Sequence, residues 1–216
     1  MRAAVKARPR PQIKFGKSLR VEQLIGLKEE LQKLRHHPPL VQRSDGKYEG
    51  DILGFVRGLR LSARVIYFLR ERLSDTDLQI NWGHLLDPNE DSCSRECDVV
   101  IHVRGHVRKW NGTDKPIMEF TFIEAAHARA VVSCKSTLKS IDKDYPKDLK
   151  KYGVKNIFLF AECCAEADYP RLRKAAKKAG YRGLWCLYLT RGSAFFETDE
   201  SMYVAFGDAV MKAVHK

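Results

Sequence analysis

Three short runs constrain this chain more than anything else in it: DVVIHV at 98–103, AVVSCK at 130–135 and NIFLFA at 156–161. Each is rich in β-branched or apolar residues at successive positions. An extended strand sends successive side chains to opposite faces, so such runs are strands covered on both sides, and helices must supply the covers. Helical patterns stand on either side of them. Ile52, Phe55, Val56, Leu59, Val65, Ile66 and Leu69 recur at helical spacing over 51–73, with arginines between them. Further helices are predicted over 21–35 (Leu24, Leu27, Leu31 and Leu34, ended by Pro38 and Pro39), 137–151, 169–179 and 206–214. In the 137–151 helix Ser136 is the expected cap and Pro146 the expected kink. With strands also at 78–82 and 183–189, the order helix, strand, strand, strand, helix, strand predicts an α/β fold, a mixed sheet flanked by helices.

At 216 residues the chain is long enough for one well-buried core. Its first twenty residues hold Pro9, Pro11 and seven cations without an acid, which reads as a solvated basic arm. Being acid-poor and Arg-containing, the arm faintly resembles an organellar transit peptide, though serine is scarce. The expected division is thus an arm over 1–20 and a single domain over 21–216. The net charge of +12 favours polyanionic partners through counterion release, but alone it does not separate DNA from RNA, anionic lipid or plain solubility.

No run approaches eighteen consecutive apolar residues, so no membrane span is expected. Of the six cysteines, Cys134, Cys163 and Cys186 lie in apolar, strand-like surroundings where free thiols behave as small hydrophobes, which points to a reducing, cytoplasmic setting. Cys93 and Cys97, with His102 and His106, are the nearest approach to a zinc pattern, yet no second Cys/His pair follows at finger spacing. Phosphate loops of the G-x-x-x-x-G-K-[ST] and G-x-G-x-x-G types are absent from the sequence.

Two neighbouring strands carry charge where a buried strand should not. Asp98 opens the run Val99-Val100-Ile101 and Lys135 closes the run that begins Ala130-Val131-Val132. By alternation Ser133 and Lys135 share one face and Cys134 points to the other. An unpaired Asp or Lys buried there would cost several kcal/mol, so both need a partner, a metal or a solvent-filled cleft. Two readings stand side by side, a functional site and a structural Asp–Lys pair at the sheet edge.

The segments ECDVVI at 96–101, FIEAA at 122–126 and VVSCKSTL at 131–138, in the order strand, strand, strand, helix, strand, resemble the PD-(D/E)XK phosphodiesterase superfamily, in particular bacterial uncharacterised domains of it. The resemblance covers roughly 50–165. It implies a restriction-endonuclease-like α-β-β-β-α-β core and a nuclease that uses Mg²⁺ or Mn²⁺. Asp98 and the backbone carbonyl of Cys134 would hold the ion, and Lys135 would orient the attacking water or stabilise charge on the phosphate. The sequence departs from the family at Ser133, where members carry a second acid. Ser133 offers only a neutral oxygen to a cation that prefers carboxylates. Glu124 matches a family glutamate ahead of the third strand and is the candidate substitute ligand, with Glu96 in reserve. Each also has an ordinary reading, Glu124 as a helix-start acid and Glu96 as a loop charge.

His102, four residues and about 13 Å along the strand from Asp98, is expected to be a half-buried strand residue, and His127 a polar contact near the edge. The segment 169–182 carries six cations and no acid; Arg171, Lys174 and Lys178 fall on one helical side, either as phosphate contacts or as a solvated face. Two functions follow as expectations. One is a Mg²⁺-dependent nuclease, active or attenuated, acting on DNA or RNA. The other is a degenerate member of the fold that binds nucleic acid, a second copy of itself or another protein without cleavage.

Overall fold

The computed structural model describes residues 50–90, 92–110, 120–192, 194–197 and 200–215; the expected arm at 1–20 and helix at 21–35 lie outside the described residues. Helix α1 (Gly50–Arg72) is followed by strands β1 (Leu78–Asp87), β2 (Ser92–Cys93), β3 (Cys97–Val103), β4 (Val107–Trp110) and β5 (Phe120–Glu124). A 3₁₀ turn (Ala125–His127) leads into β6 (Ala128–Leu138), then α2 (Tyr145–Lys151), β7 (Ile157–Ala165), α3 (Tyr169–Ala179), β8 (Leu184–Arg191), β9 (Ala194–Glu197) and α4 (Glu200–Val214). Among the described residues no helix is long and apolar enough to cross a membrane.

All strands join one sheet in the order β4-β5-β1-β3-β6-β7-β8-β9, with β2 beside β1. Strand β3 is antiparallel to β1 and β6, while β6, β7 and β8 run parallel. Parallel neighbours need a crossover, and α2 and α3 provide the two required.

The apolar runs do what their lack of alternation demands. Val99, Ile101, Val132, Phe158 and Phe160 pack with Leu61, Val65 and Leu69 of α1 and Phe206 and Val210 of α4. Val100, Val131, Leu159 and Ala161 face the other way, onto Tyr145 and Leu149 of α2 and Leu172 and Ala176 of α3. Each Val, Leu, Ile or Phe among them, removed from water, contributes about 1.5–3 kcal/mol, and the sheet is fixed between two helical layers.

Several elements differ from the sequence expectation. The 137–151 helix is half the predicted length, because Ser136, Thr137 and Leu138 extend β6 and pair with β7 at Thr137–Cys163 and Leu138–Cys164. Helix α2 begins only at Tyr145, and Pro146 sits in its first turn, where the missing N–H is not needed, so it starts the helix rather than kinking it. Asp142, not Ser136, receives the leading backbone N–H groups: its Oδ1 accepts from Asp144 and Tyr145, each at 3.0 Å. Strand β1 runs twice as far as expected. It shifts register between Asn81 and Gly83, then pairs with β5 through His84–Phe122 and Leu86–Glu124. At that shift the backbone of Thr121 presses against Gly83 where any Cβ would stand, so only glycine permits the crossing.

Candidate active site

The Asp98 carboxylate and Lys135 lie on adjacent strands. Val99 pairs with Val132, which sets Asp98 opposite Ser133 on the neighbouring strand. The backbone N–H of Cys134 donates to Asp98 Oδ2 at 2.8 Å. Asp98 is half-buried, and burial pushes its carboxyl above the ordinary range; the Cys134 N–H, the Lys135 ammonium and the Ser133 hydroxyl act against that rise, and the Glu96 charge adds to it. Lys135 is exposed and Ser133 buried. Cys134 turns to the opposite face, among the α1 and α4 side chains, where burial holds its thiol well above its normal pKa. A nucleophilic role for it has no support.

Beside Lys135 opens a cavity of about 280 Å³, floored by Leu159 and Tyr181 and rimmed by Lys135, Lys139, Ser140 and Asp142. On that rim Asp142 forms a 3.0 Å ion pair with Arg95, and the Tyr181 hydroxyl donates to the Asp142 carbonyl at 3.1 Å. Burial raises the Tyr181 pKa, so the phenol stays protonated. The result is an opening of mixed polar and apolar lining, bordered by two lysines, of which Lys135 also acts on Asp98.

NucC of P. aeruginosa, in its cAAA-bound form, matches with a TM-score of 0.51 at 12% identity, over 89% of this chain and 90% of its own. The chain shares its fold with NucC. The cAAA-bound form of E. coli NucC aligns over 92% of this chain and 93% of its own, with a TM-score of 0.46 and 13% identity. No protein-family model and no curated protein matches the chain. At such identity the likeness establishes the restriction-endonuclease-like mixed α/β fold and leaves residue roles to the chain's own geometry.

That geometry gathers Asp98, Ser133 and Lys135, with Glu96 near enough to act on Asp98; Glu96 is exposed, and its Oε1 accepts the Trp82 indole N–H at 3.1 Å. It does not bring Glu124 to them. Glu124 ends β5, and its contacts are His106, Arg108 and His127, none of which acts on Asp98. The expected substitution of Glu124 into the Asp98 site is therefore corrected. Pairing with the far half of β1, beyond the Gly83 shift, and the short 3₁₀ turn before β6 place this carboxylate with the histidines that follow β3.

These histidines form a second cluster that the sequence reading missed. The His106 and His127 rings stack with centroids 3.3 Å apart and planes 7° from parallel. Glu124 Oε2 stands 3.2 Å from His106 Nδ1, and that contact chiefly holds the Glu124 carboxyl below its ordinary pKa. The three residues offer ligand atoms within 4.8 Å of one another. A sequence signal existed in His106, Glu124 and His127 each flanking a strand end, but nothing local joined them. The Cys93/Cys97 zinc pattern is not assembled, since Cys93 is exposed whereas Cys97 is buried, its Sγ donating toward the Arg95 carbonyl at 3.5 Å.

His102 is fully buried rather than half-buried. Its ring is held at both nitrogens, Nδ1 at 2.8 Å from the Val103 carbonyl and Nε2 at 3.0 Å from the Asn81 amide, which is what lets an imidazole enter a core. On α3, Leu172 and Ala176 pack inward while Arg171, Lys174 and Lys178 are exposed, and Arg171 pairs with Asp168 at 2.9 Å.

Proposed function

We propose that this protein is an attenuated, divalent-metal-dependent nucleic-acid phosphodiesterase of the PD-(D/E)XK type. The observation that carries the reading is the meeting of Asp98, Ser133 and Lys135 on adjoining strands, with Lys135 also lining a cavity of about 280 Å³. The residues fit a hard cation, weakly. Asp98 supplies one anionic group whose Oδ2 already accepts the Cys134 N–H, and the Ser133 hydroxyl and Cys134 carbonyl add neutral oxygens. Mg²⁺ tolerates such a set because it keeps several waters of its own. When bound, the ion would polarise a phosphate oxygen and make water a better nucleophile. The remaining work falls to the chain. Lys135 orients the attacking water or offsets the charge that develops on the phosphate, and Lys139 holds a neighbouring phosphate at the cavity rim. Arg171, Lys174 and Lys178 supply further phosphate contacts and the cations of the basic arm add phosphate affinity, in a reducing compartment suited to five buried free thiols.

The test is cleavage of single- and double-stranded DNA and RNA with Mg²⁺ or Mn²⁺. Lys135→Ala should cost on the order of 10²–10³ in rate. A wild-type protein inert on every substrate, or a Lys135→Ala protein as active as wild type, would rule the reading out. The degenerate alternative, nucleic-acid binding without turnover, is favoured by one observation, the neutral Ser133 where the family has an acid. It requires salt-sensitive binding that Lys135→Ala leaves nearly unchanged.

A further inference from the structure

The turn after β3, the end of β5 and the 3₁₀ turn before β6 meet at His106, Glu124 and His127. Their nearest ligand atoms are Glu124 Oε2, His106 Nδ1 at 3.2 Å and His127 Nε2 at 3.8 Å. Two imidazoles and a carboxylate are the donor set of zinc sites that keep a fourth position for water. We propose that His106, Glu124 and His127 form a Zn²⁺ site that clips the β3–β4 connection to the start of β6. The proposal does not depend on the phosphodiesterase reading.

Donor chemistry selects the metal. Imidazole nitrogen suits Zn²⁺ and the late first-row ions, whereas Mg²⁺ and Ca²⁺ take oxygen. The carboxylate is already divided in a way that suits an ion, with Arg108 Nη2 on Oε1 at 3.4 Å and both histidines toward Oε2. Closing the shell takes one movement. A metal lies near the plane of each imidazole it binds, and two planes 7° from parallel with centroids 3.3 Å apart cannot both contain it. The rings must therefore turn about Cβ–Cγ, a torsion with a broad, shallow profile in histidine. Side-chain exposures of 37% at His106 and 35% at His127 leave space for that turn and for a water on the open side.

The experiment is competition for Zn²⁺ between the chelator-stripped full chain and a chromophoric chelator, in excess Mg²⁺. One tight equivalent is expected. His106→Asn, His127→Asn and Glu124→Gln should each weaken it by at least about tenfold, while Asp98→Asn and Cys93→Ser should leave it in place. Uptake that survives both histidine substitutions, or no tight equivalent in the wild type, overturns the proposal. Because a substitution can also unfold the chain, the Co²⁺ form of the wild type supplies a second measurement. A visible spectrum free of thiolate charge-transfer bands is expected, and a thiolate band would place the ion on cysteine and overturn the site. Loss of nuclease activity with zinc uptake intact would count against the Asp98 reading alone.

Discussion

The two ends of β3 each present a carboxylate to a basic partner, and the two carboxyls shift in opposite directions. At one end Asp98 is packed against the sheet, and burial raises its pKa despite the Cys134 N–H and the Lys135 charge. At the other end Glu124 belongs to a more open cluster, where the His106 contact outweighs desolvation and lowers its pKa. Environment, not residue type, decides the sign. The same contrast sorts the chemistry. The Asp98 end offers a few oxygens and an ammonium, suited to a hard cation and a phosphate; the Glu124 end offers nitrogen donors, suited to a softer one.

The largest effect should come from making the first end resemble its family. Ser133→Glu places a second carboxylate opposite Asp98. Without metal the two acids would repel in a buried setting and the protein should melt earlier than wild type. With Mg²⁺ the pair should bind the ion on the order of 100-fold more tightly than wild type, an added stabilisation that approaches about 2.7 kcal/mol at saturating metal. Melting temperature against Mg²⁺ concentration reads both arms without reference to activity. A Ser133→Glu protein whose melting ignores Mg²⁺ would break the comparison, since Asp98 would then not face a cation site. Cleavage appearing only in Ser133→Glu would identify the native chain as the degenerate form.

A second test moves the boundary between the two ends. Gly83 is where β1 leaves its pairing with β3 and turns to β5, with Thr121 backbone filling the space a side chain would need. Gly83→Ala should cost about 1–3 kcal/mol, as overpacking does, and should displace β5 and hence Glu124. Urea unfolding gives the first quantity, and zinc competition the second. A variant as stable as wild type would mean that the β1–β5 crossing is not held where it is observed.

Which parts of this were readable beforehand follows from how local each determinant is. Helix α3 occupies the expected 169–179, and the structure shows why its bounds are local: Pro170 sits in its first turn and Gly180 is left-handed just past its end. The runs in β3, β6 and β7 were visible because two-sided burial leaves an apolar trace. Their ends were not: Glu162 looks like the stop of β7 but lies buried within it. Asp98 and Lys135 could be paired in advance because adjacent strands and alternation suffice to place them. Glu124 could not, for its neighbours depend on the register shift at Gly83 and on a parallel pairing with β1 that no periodicity encodes. The His106–His127 stack joins residues on either side of β4 and β5, and β5 itself was not predicted.

The smallest effect expected is a pH dependence carried by His102, which lies between the two ends. Burial is the chief cause of its lowered pKa, with His106 and His127 adding to it and the Val103 carbonyl opposing. That carbonyl only accepts, so a neutral ring keeps its proton on Nδ1, and because Nε2 stands 3.0 Å from Asn81 Oδ1 a neutral ring requires the Asn81 amide to exchange that oxygen for its NH₂. The unfolded chain takes up this proton near pH 6.5, while the folded chain resists it to lower pH. Between those values the unfolded state binds more protons, so stability rises with pH. The His102 contribution is present above about pH 6.5 and is lost as the pH falls through the lower, folded value. Replacing the ring by His102→Asn should flatten the slope of unfolding free energy from about pH 6.5 downward, whatever it does to absolute stability. An unchanged slope would mean that His102 is charged in the fold, bonding both oxygens as a cation.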